Sequence, residues 1–206
     1  GYDVSRLLAG SLGILGVLLE VSLKVLPVAR GTRTLRRHIA AQGALELLGA
    51  AAQRGLPLTG SFWSKGELYV RLEGCPTGLD ELVPTIGGEL LDEPAAASLW
   101  HGIREQTHTY FTSARPLWRL SLPATAAGVA LVPADRVAFE WNGAQAWLSG
   151  VEQPTIDLIA RTAGGHATLF RRVDPGVDDA GEVFAPLPSV LLELHRAVKR
   201  VFDPVG

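Results

Sequence analysis

Three side chains in the sequence offer the chemistry needed to handle a small carboxylic acid. His166 follows Gly164 and Gly165 at the start of a predicted strand, where an imidazole could bind a carboxylate or move a proton near neutral pH. Arg119 and Arg161 carry planar guanidinium groups, which can hold a carboxylate through two parallel hydrogen bonds. We take His166 as a candidate catalytic residue and both arginines as candidate substrate-binding residues. The alternatives are a structural histidine and solvated or interface arginines.

Glycines near the start of the sequence form a second candidate binding element. Gly10, Gly13 and Gly16 recur every three residues, and glycine lets backbone amides come close to a flat or anionic ligand. They precede a predicted strand, whereas the glycine turn of a dinucleotide-binding Rossmann unit follows a strand and opens a helix. Taken alone, this spacing also fits a tight structural turn.

Composition narrows the possible functions. The formal net charge is −2, and no run of five like charges occurs, so the sequence lacks the concentrated basic face that nucleic-acid binding needs. Cys75 is the one cysteine, which excludes an intrachain disulfide and a cysteine zinc cluster and favours a reducing cytosol. There is no His-x-His pair, so we predict no metal site. The 47% hydrophobic content suffices for a sizeable core.

Residues 7–26 are strongly apolar, but their pattern argues against a membrane helix. Residues 19–25 alternate apolar and polar side chains with a period of two, which predicts a strand. The start of the sequence also lacks the ordered regions of a signal peptide. It begins at Gly1 and contains no methionine, and we therefore expect it to be a fragment of a longer protein.

Strands and helices alternate from Thr32 onward, which indicates an α+β domain whose sheet is covered by helices. Hairpin turns are predicted at residues 64–66 and at Asn142-Gly143, because Asn and Gly tolerate the positive φ of a type I′ turn. Predicted strands cover 33–39, 61–63, 67–73, 89–91, 117–122, 136–141, 144–149 and 166–173. Predicted helices cover 42–54, 94–107, 154–163 and 189–202, with one helical turn at 79–82. An antiparallel sheet of two ferredoxin-like halves, with helices on one side, satisfies this order.

Several segments together resemble FAD-linked oxidases of the vanillyl-alcohol-oxidase type, and among them the FAD-binding subunits of glycolate oxidases. The segments read GYDVSRL at 1–7, GSLGILGV at 10–17, KVLP at 24–27, LWRLSLP at 117–123, RTAGGHATLFR at 161–171 and FDPVG at 202–206. Many relatives carry an acidic residue at the position of Leu12, and this departure favours the FAD-binding subunit over its sister catalytic subunit.

The resemblance implies a domain organisation and a cofactor. Residues 1–30 would be the last helix, turn and strand of a truncated FAD-binding domain, and residues 31–206 a cap domain that binds substrate. FAD would lie against a set of residues near the start of the sequence, namely Tyr2, Gly10, Ser11, Gly13, Gly16 and Val17.

The resemblance also implies a function, a subunit of an FAD-dependent oxidoreductase that acts on glycolate or a similar 2-hydroxy acid, with the fragment itself inactive. A sister flavin subunit and an iron-sulfur subunit would be its partners, without nucleic acid or a transmembrane segment. The expected location is the cytoplasm, with peripheral attachment to the inner membrane as an alternative. Two other functions stay open: a structural or electron-relay subunit of the same complex, and a ferredoxin-like binding module without flavin.

Overall fold

The computed structural model describes residues 3–124, 132–172 and 183–205. The chain divides into two compact units, one formed by Gly1–Pro27 with Pro186–Gly206 and the other by Val28–Ala185. The second unit contains the sheet.

The first half of the sheet unit alternates strands and helices. Helix α1 (Val4–Leu8) comes first in the chain and belongs to the other unit. The elements of this half are β1 (Gly31–His38), α2 (Ala41–Gln53), β2 (Leu58–Ser64), β3 (Glu67–Gly74), α3 (Pro76–Ile86) and β4 (Glu89–Leu90). The helix α4 (Glu93–Arg104) leads into the second half. The remaining elements are β5 (Leu117–Ser121), β6 (Val137–Glu140), β7 (Gln145–Ser149), α5 (Gln153–Thr162) and β8 (His166–Arg171).

The eight strands form one open antiparallel sheet in the order β4-β1-β3-β2-β6-β7-β5-β8. Read outward from the middle, each half repeats one arrangement, because β2-β3-β1-β4 corresponds to β6-β7-β5-β8. The halves meet where β2 pairs with β6, through Phe62 opposite Glu140, Trp63 opposite Phe139 and Ser64 opposite Ala138. The predicted fold class, an antiparallel sheet carrying helices, is confirmed.

Most of the apolar core lies on one face of the sheet. The helices α2, α3 and α5 bury Leu48, Leu79 and Ile156 against alternate strand residues such as Trp63 and Leu120. The indole of Trp63 stacks on the ring of Phe139, with centroids 5.1 Å apart. We call this side the helix-covered face.

The opposite side carries a second, smaller core beneath α4. Ile103 of α4 packs there with Tyr110 and Phe111 of the following loop, over Phe62 and Trp147 of the strands. We call this side the open face, because only α4 and the loop after it pack there among the described residues. Arg171 secures the loop by donating to the carbonyl of Phe111 at 2.5 Å.

Both predicted hairpins form, but their turns differ. Lys65 and Gly66 have φ of 49° and 85°, and the two-residue turn between β2 and β3 is the predicted one. The β6–β7 connection is longer than the predicted two-residue turn, because Glu140 pairs with Gln145 and leaves four residues between them. The left-handed region begins at Trp141, with φ of 52°, and takes that residue out of the strand.

The other unit begins with α1 (Val4–Leu8), followed by successive turns up to Leu15. The strand predicted at residues 19–25 is not formed, because a strand needs a hydrogen-bonded neighbour and the described part of the chain supplies none. The side chains of Leu19 and Leu23 are 94% and 79% exposed.

The helix α6 (Ser189–Phe202) matches its predicted bounds and belongs to the same unit as the first residues. None of its residues is buried. Residues 186–206 belong to the same compact unit as residues 1–27. The predicted boundary between an FAD-binding domain and a cap domain stays a prediction.

Candidate functional site

Arg119 and His166 lie on the open face of the sheet. In the antiparallel pairing of β5 with β8, Arg119 is opposite Thr168 and Ser121 is opposite His166. Residues opposite each other point to the same face, so Arg119 and His166 are diagonal neighbours there. Both side chains are exposed. Their neighbours Leu120 and Ala167 point the other way, into the main core.

The Arg119 guanidinium is positioned by an aromatic ring. Its central carbon lies 5.9 Å from the centroid of the Phe170 ring, two residues beyond Thr168 on β8. Such stacking leaves the N–H edges of the guanidinium available to a carboxylate. His166 has no hydrogen-bond or ion-pair partner among the described residues, so its ring nitrogens are available to a ligand as well.

Arg161 is placed elsewhere. It belongs to the last turn of α5, whose Ile156 and Ala160 are buried in the helix-covered face. Its Nε donates to the carbonyl oxygen of Asp157 at 3.2 Å. The structure therefore brings together Arg119 and His166 but puts Arg161 beyond the opposite side of the sheet.

The glycine segment forms exposed turns in the other unit. Gly10 and Gly13 both have φ of 80°, in the left-handed region that favours glycine. A Cβ added at Gly10, Gly13 or Gly16 would meet no atom within 4 Å, so the backbone there is open to approach. Ser11 donates its backbone N–H to the Leu8 carbonyl at 3.1 Å, which closes the first of these turns.

This open backbone fits the family cofactor. Val17 follows the turns with 86% of its side chain exposed, as expected for a residue that a flat ligand or another part of a longer protein would cover. Tyr2, the remaining residue predicted to bind FAD, lies outside the described residues. The turns thus present open space at three glycines beside an exposed apolar side chain.

A cleft of about 560 Å³ opens on the same face as Arg119, beside α4. Its lining comes from the ends of β2, β3 and β6, from α4 and from the β6–β7 loop. The residues that line it are Thr59, Gly60, Ser61, Arg71, Ala97, Trp100, His101, Ile103, Arg104, Glu140 and Trp141. Sequence reasoning missed this cleft, because its walls come from four separate segments at residues 59–61, 71, 97–104 and 140–141.

Glu140 supplies a partly buried carboxyl group to the cleft. Burial raises its pKa, and hydrogen bonds from the Trp147 indole and the Gln145 amide offset part of this effect. Both donors reach Oε1. The second oxygen, Oε2, has no hydrogen-bond partner among the residues the structure describes.

The described segments contain no group of three or more His, Cys, Asp or Glu side chains arranged to hold a metal ion. No helix within them combines the length and the apolar character needed to cross a membrane.

Comparison with known proteins gives one clear relative. No family model matches the chain. The chain is 40% identical, over 207 aligned positions that cover all of it, to the glycolate oxidase subunit GlcE of Escherichia coli (strain K12). It spans about 55% of the length of that protein. The resemblance stated from the sequence motifs is thereby confirmed.

Proposed function

We propose, from the premise that the chain is homologous to a subunit of glycolate oxidase, that it is part of an FAD-linked oxidoreductase subunit acting on glycolate or a similar 2-hydroxy acid. The observation that carries this proposal is the 40% identity along the whole chain. The placement of Arg119 and His166 as diagonal neighbours on the open face is consistent with it.

The two units would have different functions, one in flavin binding and the other in substrate binding. Residues 1–27 and 186–206 would belong to the FAD-binding domain of the longer protein, with Gly10, Ser11, Gly13, Gly16 and Val17 against the flavin. Residues 28–185 would form a cap domain of two ferredoxin-like halves whose open face bears the substrate. This division assigns α6 to the FAD-binding side.

The chemistry is the oxidation of a 2-hydroxy acid to the corresponding 2-oxo acid. FAD, when bound, would accept the hydride equivalent removed from the α-carbon. The Arg119 guanidinium would bind the substrate carboxylate and fix the orientation of the α-carbon. The imidazole of His166 would accept the hydroxyl proton, so that both electrons and both hydrogens leaving the substrate are accounted for.

A second candidate is a structural or electron-relay subunit of the same complex. The resemblance implies that the sister dehydrogenases of this oxidase family use paired histidines near a metal. In this chain, His166 is the only histidine between residues 109 and 194. Under this alternative, substrate would be oxidised in a sister flavin subunit, and an iron-sulfur subunit would pass the electrons on.

An absorbance spectrum separates these candidates. The full-length subunit is purified alone under anaerobic conditions, and its spectrum is recorded before and after glycolate is added. Bleaching of a flavin band supports a catalytic subunit, and a flavin that stays oxidised supports the structural or relay role. A colourless full-length subunit would contradict both and would favour a binding module without flavin.

A further inference from the structure

We propose that the cleft beside α4 is a binding site for a small carboxylate carried on a flat, conjugated body, separate from the position of Arg119 and His166. The inference does not depend on flavin binding or on the oxidation of a hydroxy acid. Four features of the described residues support this proposal: the place of the cleft on the sheet, the aromatic side chains along its walls, a strained loop and two arginine side chains held by neighbouring residues.

The cleft is a different place from the Arg119 position. Its strand residues belong to β2, β3 and β6, whereas Arg119 and His166 belong to β5 and β8. The strand β7 lies between these sets, and its Trp147 fills the open face there, edge-on to the rings of both Phe111 and Phe170. A ligand in the cleft would therefore leave the Arg119 position free.

Two indole rings border the cleft. Trp100 of α4 is fixed, because its Nε1 donates to the buried Oγ1 of Thr34 at 2.9 Å. Gly60 lies against this ring, since a Cβ at that position would be in van der Waals contact with it at 3.4 Å. Trp141 at the rim is 71% exposed. The exposed ring of Trp141 is available for a flat ligand to stack on, whereas Arg71 lies over the ring of Trp100.

The exposed Trp141 has a backbone conformation that is unfavourable for a bulky residue. Trp141 and Asn142 have φ of 52° and 57°, a region that bulky side chains rarely adopt. The loop is held there by Ser61, whose Oγ accepts the backbone N–H of Asn142 at 3.0 Å. Strained residues of this kind persist where the surrounding structure fixes them, and they cluster at binding sites.

Two guanidinium groups line the cleft, and each pairs with one carboxylate while keeping N–H groups for a ligand. Arg71 lies 5.2 Å from the centroid of the Trp100 ring, Thr59 accepts hydrogen bonds from its Nε and Nη2 at 3.1 Å, and its Nε also pairs with the Glu73 carboxylate at 3.2 Å. Arg104 is bound to Glu105 at 2.8 Å and donates to Nδ1 of His101 at 3.2 Å. Their Nη1 groups have no hydrogen-bond partner among the described residues, and these donors would meet a ligand carboxylate.

Glu140 also lines the cleft, and its charge depends on pH. Burial raises the pKa of Glu140, which weakens the repulsion that its carboxyl would exert on an anion. Oε2 lacks a hydrogen-bond partner among the described residues, and it can donate to a ligand carboxylate only at a pH below its raised pKa. The flat body would then lie near the indoles with its carboxylate toward Arg71 and Arg104.

The test uses benzoate as the probe and benzamide as its neutral counterpart of the same shape. The full-length subunit is prepared with fluorine-labelled tryptophan, and the signals of Trp100 and Trp141 are assigned by substitution with Phe. We expect benzoate to shift both signals in a saturable way and benzamide to bind at least about tenfold more weakly, because it cannot pair with guanidinium. Saturation by benzamide at the same concentration, or no shift with benzoate, would overturn the proposal.

Two variants and a matched control localise the binding. Arg71→Gln removes one cation, and Trp141→Ala removes an exposed ring, a change the fold tolerates; each is expected to raise the benzoate Kd about tenfold. The control Arg33→Gln removes a cation that pairs with Asp80 at 2.8 Å, away from the cleft, and the Kd is expected to stay unchanged. Unaltered binding in Trp141→Ala would overturn the proposal even if Arg71→Gln failed to fold.

Discussion

At the scale of single residues, the chemistry of the open sheet face depends on Arg119 and His166. If the proposed function holds, Arg119→Gln in the full-length subunit is expected to raise the KM for glycolate about tenfold or more, because the guanidinium would pair with the substrate carboxylate. His166→Gln is expected to lower kcat by about 100-fold, since a general base contributes at least that much. Steady-state oxidation of glycolate with a dye acceptor measures both.

Arg161 gives the matched control for these variants. It has the same charge but lies on α5, against the opposite side of the sheet. Arg161→Gln is expected to leave KM and kcat unchanged. Equal losses in Arg119→Gln and Arg161→Gln would point to a general charge effect and would contradict the assignment of Arg119.

Gly165 shows why the residue before His166 must be small. A Cβ at this position would lie 2.2 Å from the carbonyl oxygen of Ser121, a backbone atom of the paired strand β5. Gly165→Ala is therefore expected to lower the free energy of unfolding by about 3 kcal/mol, as overpacking against backbone does. Urea unfolding followed by circular dichroism measures the change.

A second glycine tests whether this effect is specific. Gly49 lies in α2 and has no atom within 4 Å of an added Cβ. Gly49→Ala is expected to raise stability by about 0.5 to 1 kcal/mol, because alanine loses less backbone freedom in a helix. Destabilisation of similar size in both variants would mean that the close approach of Gly165 to β5 is not the cause.

Glu140 predicts a dependence of stability on pH. Burial raises its pKa above the ordinary 4.5, so the folded protein binds the proton more tightly than the unfolded chain does. The parent should therefore lose stability as the pH rises from 4.5 through the raised pKa. Glu140→Gln, which mimics the protonated acid, is expected to be more stable than the parent at pH 7 and equal to it near pH 4.

Urea titrations of parent and variant across this pH range measure the difference in the free energy of unfolding. Glu81→Gln, at an exposed position on α3, controls for the loss of one charge. A difference between parent and Glu140→Gln that is the same at pH 4 and pH 7 would show that Glu140 does not titrate in this window.

At the scale of elements, the helix starts differ in how they are capped. Asp92 accepts the backbone N–H of Ala95 at 2.8 Å and caps α4, whereas Ala40 at the start of α2 offers no side-chain cap. Asp92→Ala is expected to cost about 1 kcal/mol, and Ala40→Asp to add about 0.5 to 1 kcal/mol. Chemical denaturation measures both, and a loss of stability in Ala40→Asp would contradict the capping argument.

Elements with local signals were the ones that the sequence predicted well. The bounds of α6 match, and the β2–β3 turn follows from Lys65-Gly66, because helix periodicity and turn residues act over a few positions. The strand at residues 19–25 was wrong because a strand also needs a partner, which no local pattern reveals. The cleft was missed for a related reason, since Arg71, Trp100 and Glu140 meet only when distant strands pair.

The candidate site was predictable only in part. Arg119 and His166 could be put on one face from the alternation of their strands, once β5 and β8 are known to pair. The position of Arg161 beyond the other face could not, because it depends on the side of the sheet that α5 packs against. The left-handed backbone at Trp141 also has no sequence signal, since tryptophan rarely adopts it.

At the scale of the whole molecule, the two units have very different apolar surfaces. Both buried clusters lie within residues 28–185, while residues 17–26 and α6 expose large apolar side chains. We expect residues 28–185 alone to fold, to stay monomeric and to unfold cooperatively. The 206-residue chain is expected to self-associate with rising concentration, because its apolar patches can pair with another copy.

Light scattering coupled to size exclusion measures the association, and urea unfolding measures the cooperativity. Replacing Val21 and Leu23 by Asp in the 206-residue chain should reduce the association without changing the unfolding midpoint. A fragment 28–185 that is unfolded on its own would contradict the division into units.

The junction of β2 with β6 also sets an order of events in time. The pairs β2–β3 and β6–β7 close over two and four residues, and such contacts form within microseconds. The junction joins residues about 75 positions apart through three residue pairs, so its loop-closure entropy is far larger. Each of these two hairpins is therefore expected to form before the junction that joins them.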